Sequence, residues 1–211
     1  MRTAAILPWL FWMGTGFLLG GVMFCQLLPK CLCGRDIAAE SDDHNPGAVN
    51  VFLLCGPWVG ALCLLLDLLK GFGPVWLAKG RLDTHSLWFA GVMAAPVLGH
   101  AAGVCHHFQG GKCIATSFGV LAALAPQCWI VLLLAGLYLF FSTVWKLRPM
   151  ARRSMVTFTL FGVVGGTLLF LQGCASLATG SCLIAATAIY RHLRSRPSKP
   201  ALENDIVSNE I

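Results

Sequence analysis

The sequence predicts an all-α, polytopic membrane protein of about seven transmembrane helices, with the N-terminus outside and the C-terminus cytoplasmic. Composition gives the class. Of 211 residues, 57% are hydrophobic and 11% are charged, whereas a soluble domain carries about 25% charged residues. Arrangement gives the architecture. The apolar residues gather into long runs, and the basic residues sit between the runs rather than in them. The net charge of +6 therefore reads as a loop charge bias, not as a nucleic-acid footprint.

The first run covers about 5–28, long enough for the ~20 residues of a span. No small-residue cleavage site precedes Lys30, so it reads as a retained helix rather than a signal peptide. The second run, about 50–78, is interrupted by Asp67 and Lys70. Their spacing lets them pair on one helix face. Intramembrane charges are often functional, but the topology below places these away from the polar segments, and a structural ion pair is the preferred reading. The third run is about 86–104, the fourth about 114–125 (short for a full span), the fifth about 128–145, the sixth about 155–172 and the seventh about 174–190. From Arg191 the chain turns polar, with Pro197, Pro200 and mixed charges. Residues 1–196 therefore form one membrane domain, and 197–211 a disordered cytoplasmic tail.

Seven spans put the termini on opposite sides. With the N-terminus outside, the inner segments carry Lys30, Arg35, Lys112, Lys146, Arg148, Arg152, Arg153, Arg191, Arg194, Arg196 and Lys199, against Arg2, Lys79 and Arg81 outside. The positive-inside rule selects that orientation. Gly16 with Gly20, Gly56 with Gly60, and Gly162 with Gly166 have the spacing that lets helices approach closely. The seven tryptophans fall mostly near predicted helix ends, as interfacial anchors. The ten cysteines contain no CxxC pair, so neither a zinc site nor a disulfide framework is indicated. Cys105, His106 and His107 with His100 and Cys113 make no four-ligand set at zinc spacing.

Two polar islands interrupt this pattern. One is His44-Asn45-Pro46-Gly47-Ala48-Val49-Asn50, and the other runs from Gly99-His100 to Gly110-Gly111-Lys112-Cys113-Ile114-Ala115-Thr116. The second has the parts of a phosphate cradle: glycines for close backbone approach, a lysine for charge, and an apolar run that can open a helix. The predicted topology puts both islands and the basic C-terminal segment on the cytoplasmic face, where they can form one site.

These residues resemble a known family. Asn45-Pro46-Gly47-Ala48-Val49-Asn50-Val51 is similar to the motif S-G-N-P-G-A-T-N-V, Asp67 to Gly71 to D-x-x-K-G, and Gly99-His100 through Phe108 to Thr116 to G-H…F-x-G-G-K-G-V-A-T. Tyr190-Arg191-His192 resembles the opening of H-R-x-N-I. The family is the bacterial membrane acyl-phosphate:glycerol-3-phosphate acyltransferases, and the resemblance covers about 14–196. It implies transfer of a fatty acyl group from acyl-phosphate to the 1-hydroxyl of glycerol 3-phosphate, giving lysophosphatidic acid and phosphate. The expected protein is a monomer in the cell inner (plasma) membrane, its site facing the cytoplasm, with no cofactor, no metal and no nucleic-acid partner.

An acyl donor needs an apolar groove, and glycerol phosphate needs a basic, glycine-rich pocket. Acyl-phosphate is already activated, so positioning and electrostatics supply most of the acceleration without a covalent intermediate. Lys112 is the expected phosphate ligand, with the Gly110 and Gly111 backbone beside it. Asn45, Gly47 and Thr116 are expected to bind substrate as parts of the matching motifs. His100, His192 and Asn50 are the expected catalytic residues, the histidines orienting or deprotonating the hydroxyl.

The chain also departs from the family pattern. Asp43 stands for the motif serine, His44 for its glycine, Val49 for its threonine and Leu53 for an arginine. Cys113 stands for the glycine after GGK, and Leu193, Arg194 and Ser195 for R-x-N. Leu53 removes a cation, for which Arg35, His107, Arg191 or Arg194 are candidate substitutes, and Asp43 repels a phosphate unless it is paired. The alternative reading is thus a catalytically impaired homologue that binds lipid or phosphate metabolites. A small transporter ranks last, because the spans hold almost no acids and show no inverted repeat.

Overall fold

A computed structural model describes residues 2–194; the predicted tail at 197–211 and Ser195 lie outside the described residues. The regular elements among those residues are all helices, with no strand. Helix α1 (Arg2–Gly20) is followed by α2 (Phe24–Cys33), so the first apolar run breaks at 21–23. The break exposes the Val22 carbonyl, which accepts from Lys70 Nζ at 2.5 Å. A short α3 (Ile37–Glu40) is capped by Asp36, whose carboxylate accepts from the Ala39 N–H at 3.1 Å.

The second run is likewise divided, into α4 (Ala48–Cys55) and α5 (Pro57–Lys79). Gly56 has φ +84°, a backbone state open mainly to glycine, and Pro57 suits the first helical position. The expectation that Gly56 is a packing residue is therefore corrected: no atom lies within 4 Å of where its Cβ would be, and the residue forms the kink. Next come α6 (Trp88–Ala102), α7 (Ile114–Ala122) and α8 (Ile130–Leu139), the last continuing in a π-helical turn at Phe140–Val144. Helix α9 (Met150–Leu160) runs through a second π turn (Phe161–Gly165) into α10 (Gly166–Leu171), and α11 (Ala175–Arg194) ends the described chain.

Three helical stretches are long and apolar enough to cross a membrane: Ile6–Cys33, Pro57–Lys79 and Met150–Leu171. Trp88–Ala102 and Ile130–Val144 are shorter apolar helices. Helix α7, with nine residues, is about 14 Å long, roughly half the hydrocarbon thickness.

Glycines set the closest helix contacts. Gly20 of α1 lies against the Pro96 carbonyl of α6, and Gly99 of α6 lies against the Phe17 carbonyl of α1. Gly71 of α5 and Gly119 of α7 make the same reciprocal contact, with the Thr116 and Leu68 carbonyls. Gly162 and Gly166 approach Ala185 and Cys182 of α11, as their spacing predicts. The main core, including Phe89, Met93, Leu121, Phe158 and Ile184, joins α6, α7, α9 and α11. That packing brings the chain after α6 and the first turns of α9 to the loop before α4.

Candidate active site

The loop before α4 is held by its own polar side chains. Asp43 Oδ1 accepts from the Asn45 N–H at 3.3 Å and from Asn50 Nδ2 at 2.9 Å. Asn50 Nδ2 also donates to the Asn45 carbonyl at 2.8 Å, so a side chain in the first turn of α4 fixes the loop preceding it. The Gly47 N–H donates to the Asn45 carbonyl at 2.8 Å, and Gly47 leads into α4. The short polar run at 43–50 thus folds on itself.

The second island is built from α6. Gly103, at φ +60°, ends that helix. The chain then returns so that the Gly111 N–H donates to the His100 carbonyl at 3.1 Å. A Cβ on Gly110 would sit 2.0 Å from the Ala101 carbonyl oxygen, and one on Gly111 would sit 2.4 Å from His100 Nε2. The two glycines are therefore required by close approach. Arg191 of α11 clamps the same turn, donating through Nε to the Gly111 carbonyl at 3.1 Å and through a terminal nitrogen to the Gly110 carbonyl. Cys113, at φ +66°, precedes α7, so a non-glycine residue occupies the left-handed position.

The islands meet at Lys112, whose Nζ lies 2.6 Å from Asp43 Oδ2. Burial pushes the Asp43 carboxyl up, but the Lys112 ammonium, Asn50 and the Asn45 N–H outweigh it and hold the group below the ordinary carboxylate value.

Around this pair lies a cavity of about 480 Å³. Asp43, Asn45, Asn50, His100, Lys112 and His192 are among its polar lining, with Gly47 at the loop. Leu64, Leu68, Ile114 and Phe118 form an apolar wall, and Tyr138, Met150, Arg153 and Ser154 close it from α8 and α9. A second cavity of about 470 Å³ shares Asp43 and Asn45 with the first and is lined also by His44, Gln109, Gly110, Arg191 and Arg194.

Most of the sequence-predicted site residues come together here. Asn45, Gly47, Asn50, His100, Lys112 and His192 line the first cavity, and Gly110 lines the second. Gly111 sits under the His100 ring. The buried Thr116 is the exception: it faces α5, where its carbonyl meets Gly71, and it is not among the lining residues. His192 Nδ1 lies 2.8 Å from the Ala188 carbonyl. A carbonyl only accepts, so Nδ1 carries the hydrogen and Nε2 holds the lone pair in the neutral ring.

The position of Asp67 departs from expectation. The residue pairs with Lys70 at 2.7 Å, as its spacing predicts, but it also lines the first cavity and so does not lie away from the polar islands. The side chain of Leu53, where the family pattern has an arginine, is 78% exposed and lines neither cavity. Arg35, one of the substitute cations, is engaged by Glu40 at 2.7 Å and the Leu54 carbonyl. The sequence counted Arg153 only as a loop charge, yet it reaches the cavity. Tyr138 and Ser154, its neighbours there, carried no motif signal.

The chain is similar to known proteins along nearly its whole described length. A family model described as glycerol-3-phosphate acyltransferase matches residues 10–196. A protein of that name from Hydrogenobaculum sp. (strain Y04AAS1) is 35% identical over 179 residues, 84% of this chain and 86% of its own length. Another, from Lawsonia intracellularis, is 32% identical and covers 87% of each chain. The crystal structure of PlsY (YgiH), an integral membrane glycerol 3-phosphate acyltransferase in its glycerol 3-phosphate form, superposes with a TM-score of 0.74 at 28% identity over 88% of both chains. Its lysophosphatidic acid form gives 0.72 at 29% identity over 87% of both.

Proposed function

We propose, from the premise that the chain belongs to the glycerol-3-phosphate acyltransferase family, that it moves a fatty acyl group from acyl-phosphate to the 1-hydroxyl of glycerol 3-phosphate. The products are lysophosphatidic acid and inorganic phosphate. The supporting observation is one cavity lined both by Lys112, the two asparagines and both histidines and by the apolar Leu64, Leu68, Ile114 and Phe118. The PlsY structures named for glycerol 3-phosphate and lysophosphatidic acid support an acceptor and product of this kind.

In this reading the acceptor phosphate displaces the Asp43 carboxylate from Lys112 Nζ and takes up its hydrogen bonds. The hydroxyl oxygen then attacks the acyl carbonyl carbon, and the bond from that carbon to the phosphate oxygen breaks. The hydroxyl proton passes to His192 Nε2, which holds the lone pair, and the phosphate leaves with the bonding electrons. The Gly110–Gly111 turn, fixed by His100 and Arg191, holds Lys112 in place, so that its ammonium stabilises the substrate charge once Asp43 has left it. The apolar wall receives the first carbons of the acyl chain.

Seven passes, an outer N-terminus and a site facing the cytoplasm belong to the same proposal, supported by the loop charge bias and by a glycerol phosphate that is water-soluble. The enzyme acts alone, as a monomer without a cofactor. The non-catalytic alternative is the less favoured reading. It describes a chain in which the Asp43–Lys112 pair never opens.

The test is the purified full chain in detergent, given palmitoyl-phosphate and glycerol 3-phosphate, with lysophosphatidic acid and phosphate followed together. Equal release of both by the wild type, and neither by Lys112→Ala, supports the reading. Neither product from the wild type, under conditions where a well-matched family member works, overturns it.

A further inference from the structure

The proposed reaction brings two phosphate groups into one cavity, yet most nearby cations are already engaged. Lys112 is held by Asp43. Lys70 is buried between Asp67 and the Val22 carbonyl. Arg191 is committed to the Gly110 and Gly111 carbonyls and, with Arg194, lines the second cavity rather than the first.

Arg153 differs from all of these. It lines the first cavity from the first turns of α9. Its guanidinium lies over the Tyr138 ring, 5.3 Å from the centroid, and it makes no ion pair among the described residues. Its Nε is buried and has no hydrogen-bond partner. A buried guanidinium nitrogen without an acceptor is costly, and the planar fork suits a phosphate. Ser154 Oγ and Tyr138 OH, 3.5 Å apart, line the same end of the cavity. The ring fixes the guanidinium, and its open donors match an anionic group of a substrate.

We propose that Arg153 is the residue that binds the phosphate of the acyl donor and makes the site selective for a phosphorylated donor. The assignment rests on the acyl-phosphate reading above. Lys112 takes the acceptor phosphate, and Arg153 takes the phosphate that becomes the leaving group. The apolar wall lies in the same cavity as both. Arg153 and Ser154 then hold the departing phosphate as its charge grows.

The test uses the purified full chain, with KM measured separately for palmitoyl-phosphate and glycerol 3-phosphate. Arg153→Met keeps an unbranched side chain of similar length beside Tyr138 and removes the donors. It is expected to raise the donor KM about tenfold or more, the usual weight of a charged hydrogen bond. The acceptor KM should change less than about threefold. Inorganic phosphate, as an inhibitor competing with the donor, should weaken in parallel. Arg153→Lys should recover part of the donor KM, and its recovery together with an unshifted melting temperature for Arg153→Met separates binding from folding.

If the wild type turns over and Arg153→Met leaves the donor KM and phosphate inhibition unchanged, the assignment is overturned and the acyltransferase reading stands. A larger effect on the acceptor KM also overturns it. If the wild type releases no phosphate from palmitoyl-phosphate, the reading beneath it fails, and the assignment fails with it.

Discussion

Asp43 and Lys112, 69 residues apart in sequence, form an ion pair of 2.6 Å in which the carboxylate accepts from Lys112, Asn50 and the Asn45 N–H. A phosphate oxygen would draw on the same donors. The chain therefore carries its own anion where the proposed acceptor phosphate binds, and binding must displace it. Asp43→Ser, which removes the competing charge, is expected to lower the KM for glycerol 3-phosphate by about three- to tenfold. Steady-state kinetics at fixed donor would show it, and an unchanged or raised KM would mean that Asp43 orients Lys112 rather than blocking it.

The same pair has a defined pH signature. The Asp43 pKa is lowered in the folded protein, so its contribution to stability is fully present above the unfolded value of about 3.9. It is lost as pH falls through the lower folded value. The melting-temperature gap between the wild type and Asp43→Asn should stay constant from about pH 8 to pH 5 and shrink below about pH 4. A gap that closes between pH 5 and 8 would assign the titration to another group.

The two cavity histidines should separate in kinetics. His192 has its Nδ1 hydrogen committed to Ala188 and is the proposed base. His192→Ala should lower kcat by about 10²- to 10³-fold with an acceptor KM within about threefold of wild type. His100 is buried over Gly111 and shapes the turn, so His100→Ala should lower the melting temperature as well as activity. Equal kinetic losses with equal stabilities would overturn this division.

The glycines before Lys112 give a steric prediction. A Cβ on Gly111 meets His100 Nε2 at 2.4 Å, whereas Gly73 in α5 has nothing within 4 Å. Gly111→Ala should destabilise the protein by about 1–3 kcal/mol and abolish activity by moving Lys112. Gly73→Ala should be neutral or mildly stabilising. Thermal unfolding of the two variants side by side decides it.

Much of the site was legible because short motifs encode local geometry. The run from Asn45 to Asn50 closes its own turn through Asn50, and the Gly110-Gly111 pair meets His100 in the same island. What stayed hidden depends on packing between distant helices. Arg153 reaches the cavity only because α9 lies against α8 and α11, and nothing in the spacing near Pro149 distinguishes it from Arg152. Thr116 was misplaced because motif membership does not say which face of α7 it occupies. Leu53 drew attention as a lost cation, but its side chain points outward. The break at Gly56 was missed because the Gly56-Pro57 pair, itself a turn signal, is flanked on both sides by apolar residues and was read as part of one run.

Asp67 and Lys70 show how a correct local expectation can carry a wrong global one. Their spacing predicts the pair, and it forms at 2.7 Å with both side chains almost fully buried. Each partner also has a second task. Asp67 accepts from Cys25 Sγ at 3.2 Å and lines the cavity, while Lys70 caps the Val22 carbonyl where the first apolar run breaks. Removing one partner leaves an uncompensated buried charge, which costs about 3–5 kcal/mol. Replacing both with apolar residues of similar size removes that penalty. Asp67→Leu alone should therefore lower the melting temperature in detergent more than the double variant Asp67→Leu, Lys70→Met does. The double variant should still lose some activity, because α2 and α5 are no longer tied beside the cavity. If the double variant is as unstable as the single one, the Lys70 contact with Val22, rather than the ion pair, is what holds the first helices to α5.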